Sequence, residues 1–221
     1  MLTLSESLRV LRAIAITLAD SERTEEIHLV EELTGRSRFA ASLATQFAGE
    51  EARALLFERP ELHDDQVDYA ALRALPPDTL GFHYVDHLDR NGLSAGAQAT
   101  PTPLIEDPEL AYLVRRFRQT HDVWHALTGL GTSGHEEVII HAFSWGQLRL
   151  PVSAMVLFFG TLKHIVLEAR WRALREGLWE AYASGRDALP LLPESWERHW
   201  EEPVEGTRRR LGVAVVSAYE T

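Results

Sequence analysis

Apolar positions along the chain recur at spacings of three and four, the repeat of a helix with one buried face. From Ser5 to Leu18 that repeat is Leu8, Leu11, Ile14, Ala15 and Leu18, which predicts an amphipathic helix with these residues inward. A second helix is expected near Glu25–Leu33 and a third near Arg38–Leu56, with Thr34-Gly35-Arg36-Ser37 as stop and cap between them. Pro76-Pro77-Asp78-Thr79-Leu80-Gly81 cannot be interior helix, because two prolines remove donors and restrict the preceding backbone. A short helix follows over Phe82 to Leu88. Asn91 to Pro103, rich in Gly, Ala, Pro and Thr, is long enough to act as a covering segment. The helical pattern then strengthens, with Leu110, Leu113, Val114 and Phe117 as a buried stripe ending at the glycines of 129–134. Ser133 with Glu136 has the capping-box spacing for the next helix, and one long helix is expected from Val152 to about Ala183. Gly185 to Pro193 is a connector, a last short helix runs from Ser195, and residues 213–221 read as a loose tail. No stretch alternates with period two. The pattern predicts an all-α fold over residues 1–221, a single-domain multi-helix bundle.

Composition narrows the chemistry. The 221 residues suffice for one core. A net charge of −11 gives no electrostatic footprint for nucleic acid. The absence of cysteine excludes thiolate chemistry and leaves His and carboxylate as metal ligands. The N-terminus resembles neither a signal nor a transit peptide, and the most apolar run, Pro151 to Leu162, meets Lys163 and His164 before it could span a bilayer. The expected location is cytoplasmic, with peripheral contact at the inner face of the cytoplasmic membrane left open.

The densest chemistry lies at His121-Asp122-Val123-Trp124-His125, followed after eleven residues by Glu137. On a helix advancing about 100° per residue, His125 lies about 40° and Asp122 about 100° from His121. Two imidazoles and a carboxylate on one stripe, with a second carboxylate on the next element, suit a divalent cation. The capping role of Glu136 leaves Glu137 as the fourth ligand, placed between two consecutive helices. Two neutral imidazoles and two carboxylates neutralise a 2+ ion and leave positions open for a substrate. The ligand types admit zinc, manganese, iron or magnesium and do not choose among them.

Arg118, one turn before His121, could grip the carboxylate of an aromatic acid or pair with Asp122. Arg116 points elsewhere and reads as a surface ion-pair residue. His141, one turn after Glu137, could face the metal as a ligand or acid–base group, against the commoner reading of a His held in a helix interface. Tyr84 and His83 could line the pocket, although a core tyrosine is the commoner case. Met155, Leu157, Phe158 and Phe159 beside Gly160 are core by default and could otherwise wall a greasy channel. The tryptophans, including Trp171, Trp179, Trp196 and Trp200, fit helix packing or a membrane surface, and Arg208-Arg209-Arg210 could touch anionic lipid.

The order Pro77-Asp78-Thr79-Leu80-Gly81, then Asp107-Pro108-Glu109-Leu110-Ala111-Tyr112, then Arg116 through His121-Asp122-Val123-Trp124-His125 to Gly129, resembles the Coq-four family of coenzyme Q (ubiquinone) biosynthesis proteins. Gln147, Leu150-Pro151, Phe158-Phe159-Gly160 and the segment from Trp196-Glu197 through Pro203 and Arg208 to Gly212 continue the likeness, over about residues 75–212. The resemblance implies a helical protein, of bacterial type given its N-terminus. It implies a divalent metal, zinc by preference, on His121, Asp122, His125 and Glu137, and an aromatic ligand bearing a long isoprenoid chain. Other quinone-biosynthesis enzymes are the implied partners, and a homodimer is left open. The implied activity replaces the ring carboxylate of a prenylated hydroxybenzoate with a hydroxyl. The chain departs from the family pattern at Glu136, His141 and Ser144, all expected to face the site. Two rivals remain: a non-catalytic lipid-binding scaffold, and a His-Asp phosphohydrolase in which His83 or His87 and Asp187 would complete the ligand set.

Overall fold

The computed structural model describes residues 2–20, 23–63, 66–94, 101–168 and 171–216, apart from the side chains of 167, 168, 172 and 173. Among these residues the protein is a single all-α domain of ten α-helices. They are α1 (Leu4–Ala19), α2 (Thr24–Gln46), α3 (Glu50–Glu58), α4 (Tyr69–Arg73), α5 (Leu80–Asn91), α6 (Pro108–Thr128), α7 (Gly134–Leu148), α8 (Pro151–Glu168), α9 (Trp171–Asp187) and α10 (Val204–Leu211). A 3₁₀ turn at Trp196–Arg198 precedes the last. The only extended pairing among the described residues is an isolated bridge between Thr79 and Pro203.

The centre of the fold is α6. It starts where Asp107 accepts from the amides of Glu109 and Leu110 with Pro108 in the first turn, and it ends at Gly129, whose φ of 77° is left-handed. The expected stripe of Leu113, Val114 and Phe117 is buried, but so is almost everything else. From Ala111 to Thr128 every residue except Arg115 and His121 is buried. A helix this polar is enclosed because α2, α5 and α7 pack around it and supply partners for its charged groups.

Several sequence expectations are corrected. Thr34-Gly35-Arg36-Ser37 is no boundary: α2 runs through it, Thr34 donates back to the Val30 carbonyl at 2.6 Å, and the break falls after Gln46. Gly35 serves a close approach instead, since a Cβ there would sit 3.1 Å from the Phe39 ring. On α1 the register is the reverse of that expected. Val10 and Ala13 are buried, while Leu4, Leu8, Leu11 and Leu18 are exposed. The expected long helix from Val152 is helical over Pro151–Glu168 (α8) and Trp171–Asp187 (α9), both packed on α7, with residues 169 and 170 outside the described residues. The α7 and α9 backbones nearly touch at two glycines: a Cβ on Gly185 would fall 2.2 Å from the Phe143 carbonyl oxygen, and one on Gly146 2.6 Å from the Arg186 nitrogen. Residues 95–100 of the Asn91–Pro103 segment lie outside the described residues.

The C-terminal part is less loose than expected. Val213 and Val216 are buried, and the Val216 amide donates to the Thr128 carbonyl at 2.8 Å; residues 217–221 lie outside the described residues. The basic run belongs to α10, and two of its arginines are tied to the protein. Arg208 donates to the carbonyls of Leu127 (2.8 Å) and Ala126 (3.1 Å), satisfying the orphan acceptors at the end of α6, and Arg210 pairs with Glu194 at 2.8 Å. The Asp78-Thr79-Leu80-Gly81 stretch is tied to the same region. Leu80 and Gly81 donate to the carbonyls of Glu202 and Trp200, and Val204 donates to that of Asp78, each at 2.8 Å. A Cβ on Gly81 would come within 2.9 Å of the Leu75 side chain and 3.1 Å of Leu72 and Trp200, so the packing is tight here. The tryptophans divide: Trp196 and Trp200 pack inside, Trp171 and Trp179 are exposed.

Candidate metal centre

The site forms where the C-terminal turn of α6 faces the first turn of α7. The Ser133–Glu136 capping box is present: Ser133 donates to Glu136 at 2.5 Å, and the same carboxylate accepts from the Gly131 amide at 2.7 Å. Glu136 therefore faces the helix start, and Glu137 faces α6. Ligand atoms of His121, His125 and Glu137 all lie within 4.8 Å of one another. His121 Nε2 is 3.7 Å and His125 Nε2 3.6 Å from the Glu137 carboxylate, and the two Nε2 atoms are 3.2 Å apart.

These residues fit a divalent cation on their own chemistry. Two nitrogens held at about 2.0–2.1 Å in a tetrahedral arrangement would stand about 3.3 Å apart, close to the spacing here. His125 Nδ1 lies 3.2 Å from the Leu130 carbonyl, which can only accept; Nδ1 must carry the proton, and Nε2 presents its lone pair to the cluster. The His125 side chain is fully enclosed, His121 is 19 % exposed and Glu137 37 %, so one side of the group opens to solvent.

Electrostatics couple the three. Burial pushes His125 down to about 3, helped by the neighbouring His121. Burial would lower His121 as well, but the hydrogen bond and charge of Glu137 outweigh it and hold His121 above its usual value. Glu137, despite a burial penalty, is drawn down to about 2 by His121 and His125. The result is a carboxylate kept ionised beside one neutral imidazole and one basic one.

Of the other expected residues, Asp122 is buried but outside the three-residue group. It lies toward Tyr84, whose phenol is pushed well above its usual range by burial, by Tyr69 and by the Asp122 charge. Tyr84 is a core residue, stacked on Trp200 at 5.3 Å and 5°. Arg118 is buried against α2. Its guanidinium donates to Glu31 at 2.7 Å and to Glu32 at 3.0 Å, both on α2 and both buried, because the packing of α2 on α6 delivers two carboxylates to it. Arg116, expected at the surface, is wholly buried against Glu197 and the Glu194 carbonyl. His141 does reach the site: its ring centre is 5.8 Å from that of His121, its Nδ1 is 3.3 Å from Ser153 Oγ, and burial lowers it to about 4. Ser144 is turned into its own helix, donating to the Ile140 carbonyl at 3.0 Å. Of the channel candidates, Phe158 is exposed and Met155 and Leu157 are only partly buried against the core.

Two groups near the site had no place in the leading sequence reading, His87 having been named only as a ligand of the rival phosphohydrolase. Glu31, raised to about 7 by burial with Glu32 beside it and despite Arg118, acts electrostatically on His121. His87 of α5 stacks on His125, ring centres 5.0 Å apart at 22°. No spacing within the sequence marks either, since both arrive from helices packed across α6.

Known proteins bear on this geometry. The sequence pattern described as coenzyme Q (ubiquinone) biosynthesis protein Coq4 matches residues 2–217. The chain belongs to this family. A mitochondrial ubiquinone biosynthesis protein COQ4 homolog of Drosophila ananassae is 30% identical over 200 residues, spanning 90% of this chain and 74% of the relative. Its Bos taurus counterpart is 31% identical over 198 residues, with the same two coverages. The mitochondrial COQ4 of Coprinopsis cinerea is 28% identical over 201 residues, 91% of this chain and 68% of that one. In fold, a crystal structure of a Nostoc punctiforme protein superposes with a TM-score of 0.74 at 24% identity, covering 93% of this chain and 97% of the other. No helix among the described residues is long and apolar enough to cross a membrane.

Proposed function

We propose that this Coq4-family chain is a metal-dependent enzyme that exchanges the ring carboxylate of a prenylated hydroxybenzoate for a hydroxyl. The observation that carries the reading is the convergence of His121, His125 and Glu137 on one point at an opening to solvent. Asp122, adjacent in sequence, is a fourth candidate that would need a change of rotamer to join them. When bound, zinc, or iron, manganese or magnesium in its place, supplies a Lewis acid toward the carboxylate or phenolate. The chain's own residues do the rest. The Leu130 carbonyl fixes the His125 tautomer, Glu137 stays ionised, and His141, neutral at pH 7, stands one turn beyond Glu137 to accept the ring hydroxyl proton. Carbon dioxide leaves, and the incoming oxygen and the two-electron oxidation require an oxidant such as dioxygen. Other enzymes of quinone biosynthesis are the partners, at the inner face of the cytoplasmic membrane.

A second reading, a non-catalytic scaffold, is favoured by one observation: two helices present apolar rows to solvent, Leu4, Leu8, Leu11 and Leu18 on α1, and Phe158, Leu162, Ile165 and Val166 on α8. The phosphohydrolase reading has less support, because Asp187 is exposed and paired with Arg186 at 2.7 Å. The deciding experiment is metal analysis of untagged wild type and His125→Ala, with turnover of a prenylated hydroxybenzoate assayed under dioxygen. Near-stoichiometric metal lost in the variant is the expected result, and no metal in either protein overturns the enzyme reading. Metal without turnover, with His121→Ala and Glu137→Ala lowering thermal stability and partner capture, would favour the scaffold.

A further inference from the structure

His87 and His125 are stacked imidazoles whose hydrogen bonds force opposite tautomers. His125 carries its proton on Nδ1, because the Leu130 carbonyl facing that atom can only accept. His87 Nδ1 faces the Asn91 side-chain amide, 3.4 Å away. The orientation of that amide is fixed from two sides: its nitrogen donates to the His87 carbonyl at 2.8 Å, and its oxygen accepts from the Thr132 hydroxyl at 2.8 Å. A proton on His87 Nδ1 would set two donors against each other, so the network assigns the proton to Nε2. That Nε2 is buried and has no hydrogen-bond acceptor, and the residue as a whole is only 8 % exposed. A buried donor left unpaired costs about 1–3 kcal/mol, so a site that keeps one has a use for it or fills it with a ligand.

The same network argues against His87 as a metal ligand. Neutral imidazole binds a cation through the nitrogen without the proton, and a ligating histidine normally donates the other N–H to an acceptor. His125 meets both conditions and His87 neither. His141 does not give so clear a reading, because its Nδ1 meets the Ser153 hydroxyl, which can donate or accept.

We propose that His87 is a ligand-binding residue of this site, its Nε2–H donating to an anionic oxygen of the molecule that the metal centre takes. The neighbouring imidazole and carboxylate would hold the cation, and the stacked ring above would hold an oxygen of the carboxylate or phosphate drawn to it. This rests on the reading of His121, His125 and Glu137 as a metal centre. It adds that the site selects ligands with an anionic oxygen placed to reach both the cation and the α5 side of the pocket.

The test uses the full chain loaded with zinc. Nitrogen-15 long-range correlation of the histidine rings reads the tautomers directly and needs no variant. It should give the Nε2–H form for His87 and the Nδ1–H form for His125. Calorimetric titration with 4-hydroxybenzoate, and separately with inorganic phosphate, is then compared among wild type, His87→Phe and His87→Gln, with zinc content measured in each. Phenylalanine keeps the stack without the donor, and glutamine returns an N–H. The tighter anion should weaken about tenfold or more in His87→Phe and stay within about threefold of wild type in His87→Gln, at unchanged zinc content. Which anion binds tighter tells a carboxylate-bearing from a phosphate-bearing ligand. An Nδ1–H tautomer at His87, equal affinity in His87→Phe, no binding of either anion by wild type, or loss of zinc in both variants overturns the proposal. If wild type holds no zinc, the metal reading fails by itself, and the tautomer with the same titrations of the metal-free chain still decides the role of His87.

Discussion

Arg116 and Arg118 leave α6 two residues apart and end in opposite halves of the molecule. Arg116 runs into the C-terminal segment, where its guanidinium meets the Glu197 carboxylate and donates to the Glu194 carbonyl at 2.7 Å. Arg118 runs into α2 and meets Glu31 and Glu32. Both are buried, but their charge balance differs. Arg116 has one carboxylate, itself 21 % exposed, whereas Arg118 is enclosed with two that are 5 % and 3 % exposed. Burial raises Glu31 toward neutrality, with the Glu32 charge adding to the effect and Arg118 opposing it. The first pair ties α6 to the C-terminal segment. The second leaves surplus negative charge beside His121.

The largest effect that would break this comparison is Arg118→Ala, which strands two buried carboxylates. Urea unfolding should show a loss of about 3–5 kcal/mol, partly recovered by adding Glu31→Gln and Glu32→Gln. Arg116→Ala should cost less, about 2 kcal/mol in the same assay, because Glu197 can turn to water. Equal losses in the two would mean that the extra carboxylate on the α2 side carries no weight. The smallest effect is a pH dependence on that same side. His28 of α2 is lowered to about 4, by burial first and then by the charge of Arg118. Its folded value lies below the unfolded value of about 6.5, so the unfolded chain takes the proton first as pH falls. The contribution is complete above pH 6.5 and is lost as pH drops toward 4, about 1 kcal/mol after allowance for partial exposure. Comparing wild type with His28→Gln at pH 7.5 and pH 5 isolates it: the variant should show the shallower fall.

Much of the site's local frame was legible in the residues. The spacing of His121 and His125, the capping role of Glu136 and the inward turn of Glu137 are short-range consequences of helix periodicity and cap chemistry. Glu31 was not legible, and His87 was legible only as a ligand of the rival phosphohydrolase, because they approach from α2 and α5 and share no spacing with the motif. The same limit explains α1. Its 3–4 repeat correctly gives a helix, yet periodicity only says that two faces differ. Which face packs depends on what α2 offers, and α2 takes Val10 and Ala13 while the leucines stay outside. It also explains the misjudged boundary at Gly35, where a glycine needed for contact with Phe39 and Leu150 resembles a helix stop.

The sequence by itself determined the helical class, the start and end of α6, the first turn of α7 and the facing of two imidazoles and a carboxylate. Each depends on groups within about one or two helical turns, and hydrogen-bond geometry at that range leaves few alternatives. Only the tertiary structure decided that α6 is enclosed along nearly all its length, that Arg116 and Arg118 are internal ties, and that Arg208 caps the end of α6. A charged side chain is stable inside only beside its partner, and here the partners lie 81 to 87 residues away along the chain. No local pattern records a pairing at that distance, because it is made by the packing of helices rather than by the residues that precede and follow.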